Sequence, residues 1–288
     1  MRAGGVGVVI ATELDVPAGD GRTLHAYDTG PGGDLVVVWH HGTPNIGTPP
    51  EPLFDVSERL GIRWISYDRP GYGGSTPHPD RSVGTAAGDV AAIADALGVE
   101  RFAVMGHSGG SPHALACAAL LADRVVAVLT GAGLAPFDAA GLDWFAGMAP
   151  ASLGSLGAAA SGRAAKEAYE ARTDTPEMEF TAADLAALDG PWGWFGSVVR
   201  PAVAAGPGPL IDDDLAYVSP WGFDPATISA PMLLTHGGRD RVVPPAHSEW
   251  LATRCPTAEV RILPGEGHLS VLNGAPDGLA WLSAASGR

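Results

Sequence analysis

The amino-acid sequence predicts an α/β domain: a mostly parallel central sheet, helices on both faces, and a helical insertion. Three observations predict it. Short apolar runs rich in β-branched residues alternate with helical stretches at both ends of the 288-residue chain, and such alternation implies crossover connections between parallel strands. Between residues 134 and 228 the strand signals stop while helical ones continue. Hydrophobic residues make up 46% of the chain, enough for a sizeable core and too many for wholesale disorder.

The run Val6–Ala11 reads as a first strand or leader. It is too short to cross a membrane, follows a single Arg2, and precedes Glu13 without an A-x-A site, so it does not read as a signal peptide. Arg22–Asp28 reads as a strand. Leu35–Trp39 and Arg63–Tyr67 are continuous apolar runs of the kind that lie buried on both faces of a sheet. Ser82–Leu97 reads as a helix, with Val90, Ile93 and Leu97 on one face and Gly98 as its stop. Phe102–Met105 is a strand, and Ser111–Ala122 is a helix that tolerates Pro112 in its first turn. Val125–Thr130 is a strand ended by Gly131-Ala-Gly133.

Residues 134–228 carry the helical stretches Asp138–Met148, Gly162–Arg172, Thr181–Leu188 and Asp212–Val218. Thr181 and Asp184 have the spacing of a capping box, with Asp in place of Glu. This segment reads as a helical cap inserted into a core formed by residues 1–133 and 229–288. Met232–His236 and Val260–Leu263 complete the strands. A helix near Pro245–Thr253 lies between them, and another runs from Leu269 to about Ala285.

Charge narrows the partners. With 17 basic against 32 acidic residues the net charge is −15, which disfavours nucleic acid and anionic membrane surfaces. Lys166 is the sole lysine, so no lysine-rich patch hides in the total. Cys117 and Cys255 form no CxxC pair and fit a reducing compartment, taken as cytoplasmic. Arg in place of Lys, with abundant Ala, Gly and Pro, suggests a bacterial source. No phosphate-binding loop, H-E-x-x-H or paired CxxC occurs, so neither cofactor nor metal is implied.

Gly106-His-Ser-Gly-Gly110 matches G-x-S-x-G. A chain with 40 glycines makes such a match easily by chance, but this one follows a strand and opens a helix. That setting is the nucleophile elbow, in which the flanking glycines let the Ser108 hydroxyl project above the sheet. The helix N-terminus beneath favours developing negative charge. A serine needs a base, and the base an orienting acid. Asp240 and His268 each follow a later strand, and loops after parallel strands open at one edge of the sheet. His41-Gly-Thr-Pro44 opens there too, which makes the Thr43 and Gly109 amides the candidate oxyanion donors.

These pieces, with Tyr67-Asp-Arg-Pro-Gly-Tyr-Gly-Gly-Ser75, Gly238-Arg-Asp-Arg-Val-Val-Pro244 and Gly265-Glu-Gly-His268, resemble the α/β-hydrolase superfamily with a helical cap. The resemblance runs from about Leu35 to the C-terminal helix. It implies that Ser108 is the nucleophile, His268 the base and Asp240 the orienting acid. Related dehalogenases and epoxide hydrolases carry Asp at the nucleophile position, and proline iminopeptidases resemble G-G-S-W-G and HGGPG; this chain departs from all three. The expectation is a serine hydrolase of small-molecule carboxylic esters bearing an apolar acyl or alcohol group, acting as a monomer or homodimer. A C–C hydrolase, an amidase or a cofactor-free perhydrolase are alternatives on the same fold, and a non-catalytic small-molecule receptor is another.

Asp138 is a rival acid. His107 is expected to point away beneath the elbow, and His40, His41, Asp68 and Arg69 to order their loops. His236 and His247 are expected to be structural. Trp144, Trp192, Trp194 and Phe195 are the aromatic candidates for lining an apolar pocket.

Overall fold

The computed structural model describes residues 11–287, so the expected first strand over Val6–Ala11 lies, but for Ala11, outside the described residues. Eight strands are described: β1 (Thr12–Pro17), β2 (Thr23–Asp28), β3 (Leu35–His40), β4 (Ile62–Tyr67), β5 (Phe102–His107), β6 (Val125–Gly131), β7 (Met232–Gly237) and β8 (Ala258–Leu263). They form one sheet in the order β1-β2-β4-β3-β5-β6-β7-β8. The β1–β2 and β2–β4 pairs are antiparallel and the others parallel. The helices are α1 (Phe54–Arg59), α2 (Thr85–Ala96), α3 (Gly110–Leu120), α4 (Pro150–Ala160), α5 (Arg163–Glu170), α6 (Ala182–Leu188), α7 (Phe195–Val203), α8 (Gly208–Tyr217), α9 (Ala246–Arg254) and α10 (Ala275–Ala285). Among the described residues no helix is long and apolar enough to cross a membrane.

The central strands are apolar on both faces because both faces are covered. Val38, Val104, Val128 and Met232 are paired across β3, β5, β6 and β7 and point into the layer formed by α2, α3 and α9. Their neighbours Trp39, Met105, Leu129 and Leu233 point the other way, toward α10. Each such side chain contributes about 1.5–3 kcal/mol by leaving water. Small residues along α3 let it sit deep against the sheet, and Gly110 to Ala118 are all buried. That depth brings the α3 N-terminus directly behind the end of β5.

Several elements differ from the sequence reading. β1 is an edge strand whose Glu13 and Asp15 face solvent, leaving no apolar run to read. Asp138–Met148 is a chain of turns, with Gly141 and Gly147 at φ +87° and +88°, which a helix cannot accommodate. The helix there is α4, which starts at Pro150 and carries two glycines that blur its period. α1 and α7 are further helices absent from the reading. The stretch from Leu269 opens with a 3-10 turn over Ser270–Gly274, and α10 begins only at Ala275. The capping box forms: Thr181 Oγ1 accepts from the Asp184 amide, and Asp184 Oδ2 accepts from the Thr181 amide.

Several histidines are packed away from water in this framework. His41 Nδ1 donates to the Gly42 carbonyl while its Nε2 accepts from the Arg69 amide, so it does order its loop. His40 does not: its Nε2 contacts Cys117 Sγ and its Nδ1 has no partner among the described residues. His247 bridges the Ala135 amide and the Trp144 carbonyl. Burial pushes His113 down to about 3, helped by the Arg69 charge, and His247 to about 4. His40 and His41 are likewise held well below the usual range, by burial first. An unfolded histidine titrates near 6.5. Below that pH the unfolded chain takes up protons that these rings refuse, so stability falls by up to about 1.4 kcal/mol per pH unit and per ring. Thermal unfolding followed by circular dichroism should show the midpoint dropping steadily from about pH 6.5 toward about pH 4; a flat profile would contradict the buried neutral rings.

Candidate active site

The turn from β5 to α3 is steric in origin. Ser108 sits at φ +52°, in the left-handed region that a residue with a side chain rarely occupies. It is held there because its neighbours leave no alternative path. A Cβ on Gly106 would lie 2.6 Å from the Gly110 carbonyl oxygen, and one on Gly110 only 2.0 Å from that of His40. The Ser108 amide donates to the Gly131 carbonyl at 2.8 Å, pinning the turn to the end of β6. The side chain is thereby left half-buried at the rim of the sheet.

Asp240 follows β7 and His268 follows β8. His268 Nε2 lies 2.9 Å from Ser108 Oγ, and its Nδ1 lies 2.8 Å from Asp240 Oδ2. Both partners are buried, Asp240 at 3% and His268 at 5% exposure. Burial alone would raise the Asp240 carboxyl, but attraction to His268 and hydrogen bonds from His236 and His268 outweigh it and hold the group well below the usual range. The Val242 and Val243 amides also donate to its Oδ1. Asp240 is therefore an ionised acceptor, which fixes the His268 proton on Nδ1 and leaves the Nε2 lone pair facing the serine. His236 Nε2 lies 2.8 Å from the Val243 carbonyl and 3.3 Å from Asp240 Oδ2, so its one proton is shared between them, while Nδ1 accepts from Ser248. The rival acid Asp138 is exposed on a separate outer groove with Trp221 and Trp250.

The loops that carry these groups are tied down by acids from their neighbours. Asp184 of α6 accepts from the Leu269 and Ser270 amides, both at 2.8 Å, so the loop bearing His268 hangs on a carboxylate from the helical segment. Asp68 accepts from the Gly47 and Gly74 amides and from Tyr27. Arg69 donates to the His41 and Gly42 carbonyls. The loop from His41 to Asn45 consequently passes beside the serine, where a Cβ on Gly42 would lie 3.7 Å from Ser108 Cβ. Among the described residues the Thr43 and Gly109 amides have no protein acceptor.

A cavity of about 320 Å³ opens over Ser108 and His268. Its walls include Met178, Phe180, Leu188, Val199, Val242 and Leu269, none of which the sequence singled out. Of the aromatic candidates, Phe195 lines it and the three tryptophans do not. Trp144 packs edge-on against Phe137 and His247 and donates to the Ala135 carbonyl. Trp192 and Trp194 are buried against Phe195 and support it from behind. His107 does not point away from the site: it lines the cavity and donates from Nε2 to the His268 carbonyl. Burial and the nearby His268 push it down to about 3, which suits it to holding the His268 backbone rather than moving protons.

Known proteins resemble the chain at two levels. Over 98 residues it is 38% identical to a non-heme chloroperoxidase of Streptomyces lividans, covering 33% of the chain and 35% of that protein. Over 119 residues it is 32% identical to an epoxide hydrolase of Caballeronia sordidicola, covering 40% of the chain and 35% of that protein. The matched stretches thus span about a third of the length of these relatives. The crystal structure of the enol-lactonase from Burkholderia xenovorans superimposes with a TM-score of 0.68 at 20% identity, over 95% of this chain and all of that one; at that identity the likeness concerns the fold. The family model described as alpha/beta hydrolase fold matches residues 36–275, and the chain belongs to that family.

Proposed function

We propose that the protein is a serine hydrolase of carboxylic esters. The observation that carries this reading is the imidazole of His268, bonded on one side to Ser108 Oγ and on the other to the ionised Asp240. Ser108 Oγ attacks the ester carbonyl carbon as its proton passes to His268 Nε2. The resulting oxyanion is held by the Thr43 and Gly109 amides, and Asp240 stabilises the imidazolium. Collapse breaks the bond to the alkoxide, which takes the proton back from Nε2. Water, deprotonated by the same nitrogen, then releases the acid and restores the serine.

Two further points support an acyl substrate over an epoxide, and an apolar one over a polar one. A serine attacking an epoxide would form an ether, which offers water no carbonyl for the second half of the reaction. An acyl group on Ser108, by contrast, is resolved by the same histidine. The lining of Met178, Phe180, Leu188, Phe195 and Val199 is suited to an apolar acyl or alcohol group. Residues 134–228 act in this reading as a cap, supplying these five apolar walls and shielding the reacting atoms from water.

Ser108→Ala should remove nearly all p-nitrophenyl ester turnover and all fluorophosphonate labelling while leaving the protein folded; undiminished turnover would reject the nucleophile. Filling the cavity with Val199→Trp should lower kcat/KM for long acyl esters by about tenfold or more while sparing the acetate, since each methylene in an apolar pocket is worth about 10–200-fold. An equal loss across the ester series would contradict an acyl site at this wall.

A further inference from the structure

We infer that Tyr217 and Asp213, on α8, are positioning residues that set the oxyanion-binding loop. The inference rests on the reading of Thr43 and Gly109 as the oxyanion donors and adds what holds them there. Tyr217 is fully buried, and its hydroxyl lies 2.9 Å from the Gly109 carbonyl and 2.7 Å from Thr43 Oγ1. One phenolic oxygen therefore touches both residues assigned to the oxyanion site. Thr43 Oγ1 in turn lies 2.7 Å from Asp213 Oδ2. The Thr43 hydroxyl has a single proton, and the carboxylate is its strongest acceptor. The single proton of Tyr217 then serves the Gly109 carbonyl and Thr43 Oγ1 between them.

Asp213 is itself immobilised. It is buried against Arg69 Nη2 at 2.6 Å, Arg81 Nη2 at 2.7 Å and Tyr72 Oη at 3.1 Å. Arg69 closes the circuit, donating to Thr43 Oγ1 at 2.9 Å and to the Gly42 carbonyl at 3.0 Å. The Thr43 hydroxyl thus leads directly to α8, and the Gly42 carbonyl leads there through Arg69; α8 follows β6 and precedes β7 in the chain.

The sequence of the elbow accords with this. G-x-S-x-G leaves the residue after the serine free, yet here it is Gly109. A Cβ there would lie 2.3 Å from the Tyr217 hydroxyl and 2.6 Å from Thr43 Oγ1. The glycine at this position makes room for the hydroxyl bridge, not for the turn itself, since its φ of −55° suits any residue. An oxyanion site tolerates little misplacement: an error of about 1 Å costs on the order of 10²-fold in rate. The bridge couples the seating of α8 to transition-state binding, so this helix acts on the chemical step and not only on access to it.

Tyr217→Phe removes one oxygen and keeps the ring. Thr43→Val removes the other hydroxyl and keeps the backbone amide, and Thr43→Ser restores it. In the folded enzyme kcat for a p-nitrophenyl ester should fall by about tenfold or more in Tyr217→Phe and Thr43→Val, with KM changed by less than about twofold. Affinity for a trifluoromethyl ketone should fall in parallel with kcat/KM. Thr43→Ser should recover most of the loss, and the double variant should lose no more than the worse single one. Unchanged kcat, or a loss confined to KM, would overturn the inference. Should Tyr217→Phe not fold, equal activity of Thr43→Val and Thr43→Ser would overturn it alone. Failure of the nucleophile reading looks different: wild type itself would resist fluorophosphonate, whereas failure of this inference leaves wild type labelled and the variants as fast.

Discussion

The structure depends on one steric constraint, the sharp turn that takes the chain from β5 into α3. Ser108 is forced into the left-handed region at its apex, and the surrounding backbone approaches too closely for side chains on Gly106 or Gly110. The strain is small beside the packing that enforces it, since the strand before and the helix after are buried almost without interruption. Fixing the turn fixes the Ser108 hydroxyl at the rim where β6, β7 and β8 also end. Everything at the site is arranged around that point.

The helical segment between β6 and β7 grips this arrangement from two sides. Asp184 takes two amides of the loop that carries His268, and Asp213 takes the hydroxyl of Thr43. Both carboxylates lie below the usual range despite burial, Asp184 through backbone and hydroxyl donors and Asp213 through Arg69 and Arg81. The acidic surplus of the chain is therefore partly internal. Asp213 and Asp214 are consecutive, and Asp214 meets the sole lysine, Lys166, which has no exposed surface and also reaches Glu170. Removing one member of such a buried set leaves an uncompensated charge, which typically costs about 3–5 kcal/mol, so the ion pairs specify how α5 and α8 seat more than they add to stability.

The parts of the fold legible in the sequence are those where a single local rule decides. β3 to β7 are apolar runs because both faces are covered, and the elbow is legible because a strand, two glycines and a helix are contiguous. That Asp240, His268 and Ser108 converge follows from parallel topology, as each follows a strand at the same edge; the contacts of His268 with Asp240 and with Ser108 do not follow from it. What was not legible depends on tertiary neighbours. β1 carries outward-facing acids, α4 carries glycines, and Asp138–Met148 has apolar residues three apart, Leu142, Phe145 and Met148, that pack as turns. Trp144, Trp192 and Trp194 were legible as large aromatics, but their direction is set by partners remote in sequence. Asp184 showed its capping role in the spacing to Thr181; its second oxygen, committed to a loop 85 residues away, left no local sign. The same holds for Tyr217, 108 residues from the glycine it bonds.

Acylation of the Ser108 hydroxyl during turnover is the most direct test of the proposed nucleophile. Acid quenching of the wild-type enzyme in the steady state with a p-nitrophenyl ester, followed by peptide mass spectrometry, reads this without substitution. The acyl mass is expected on the peptide that contains Ser108, rising with substrate and vanishing when the ester is exhausted. Continued turnover with that peptide unmodified, or with the acyl group on another residue, would contradict it.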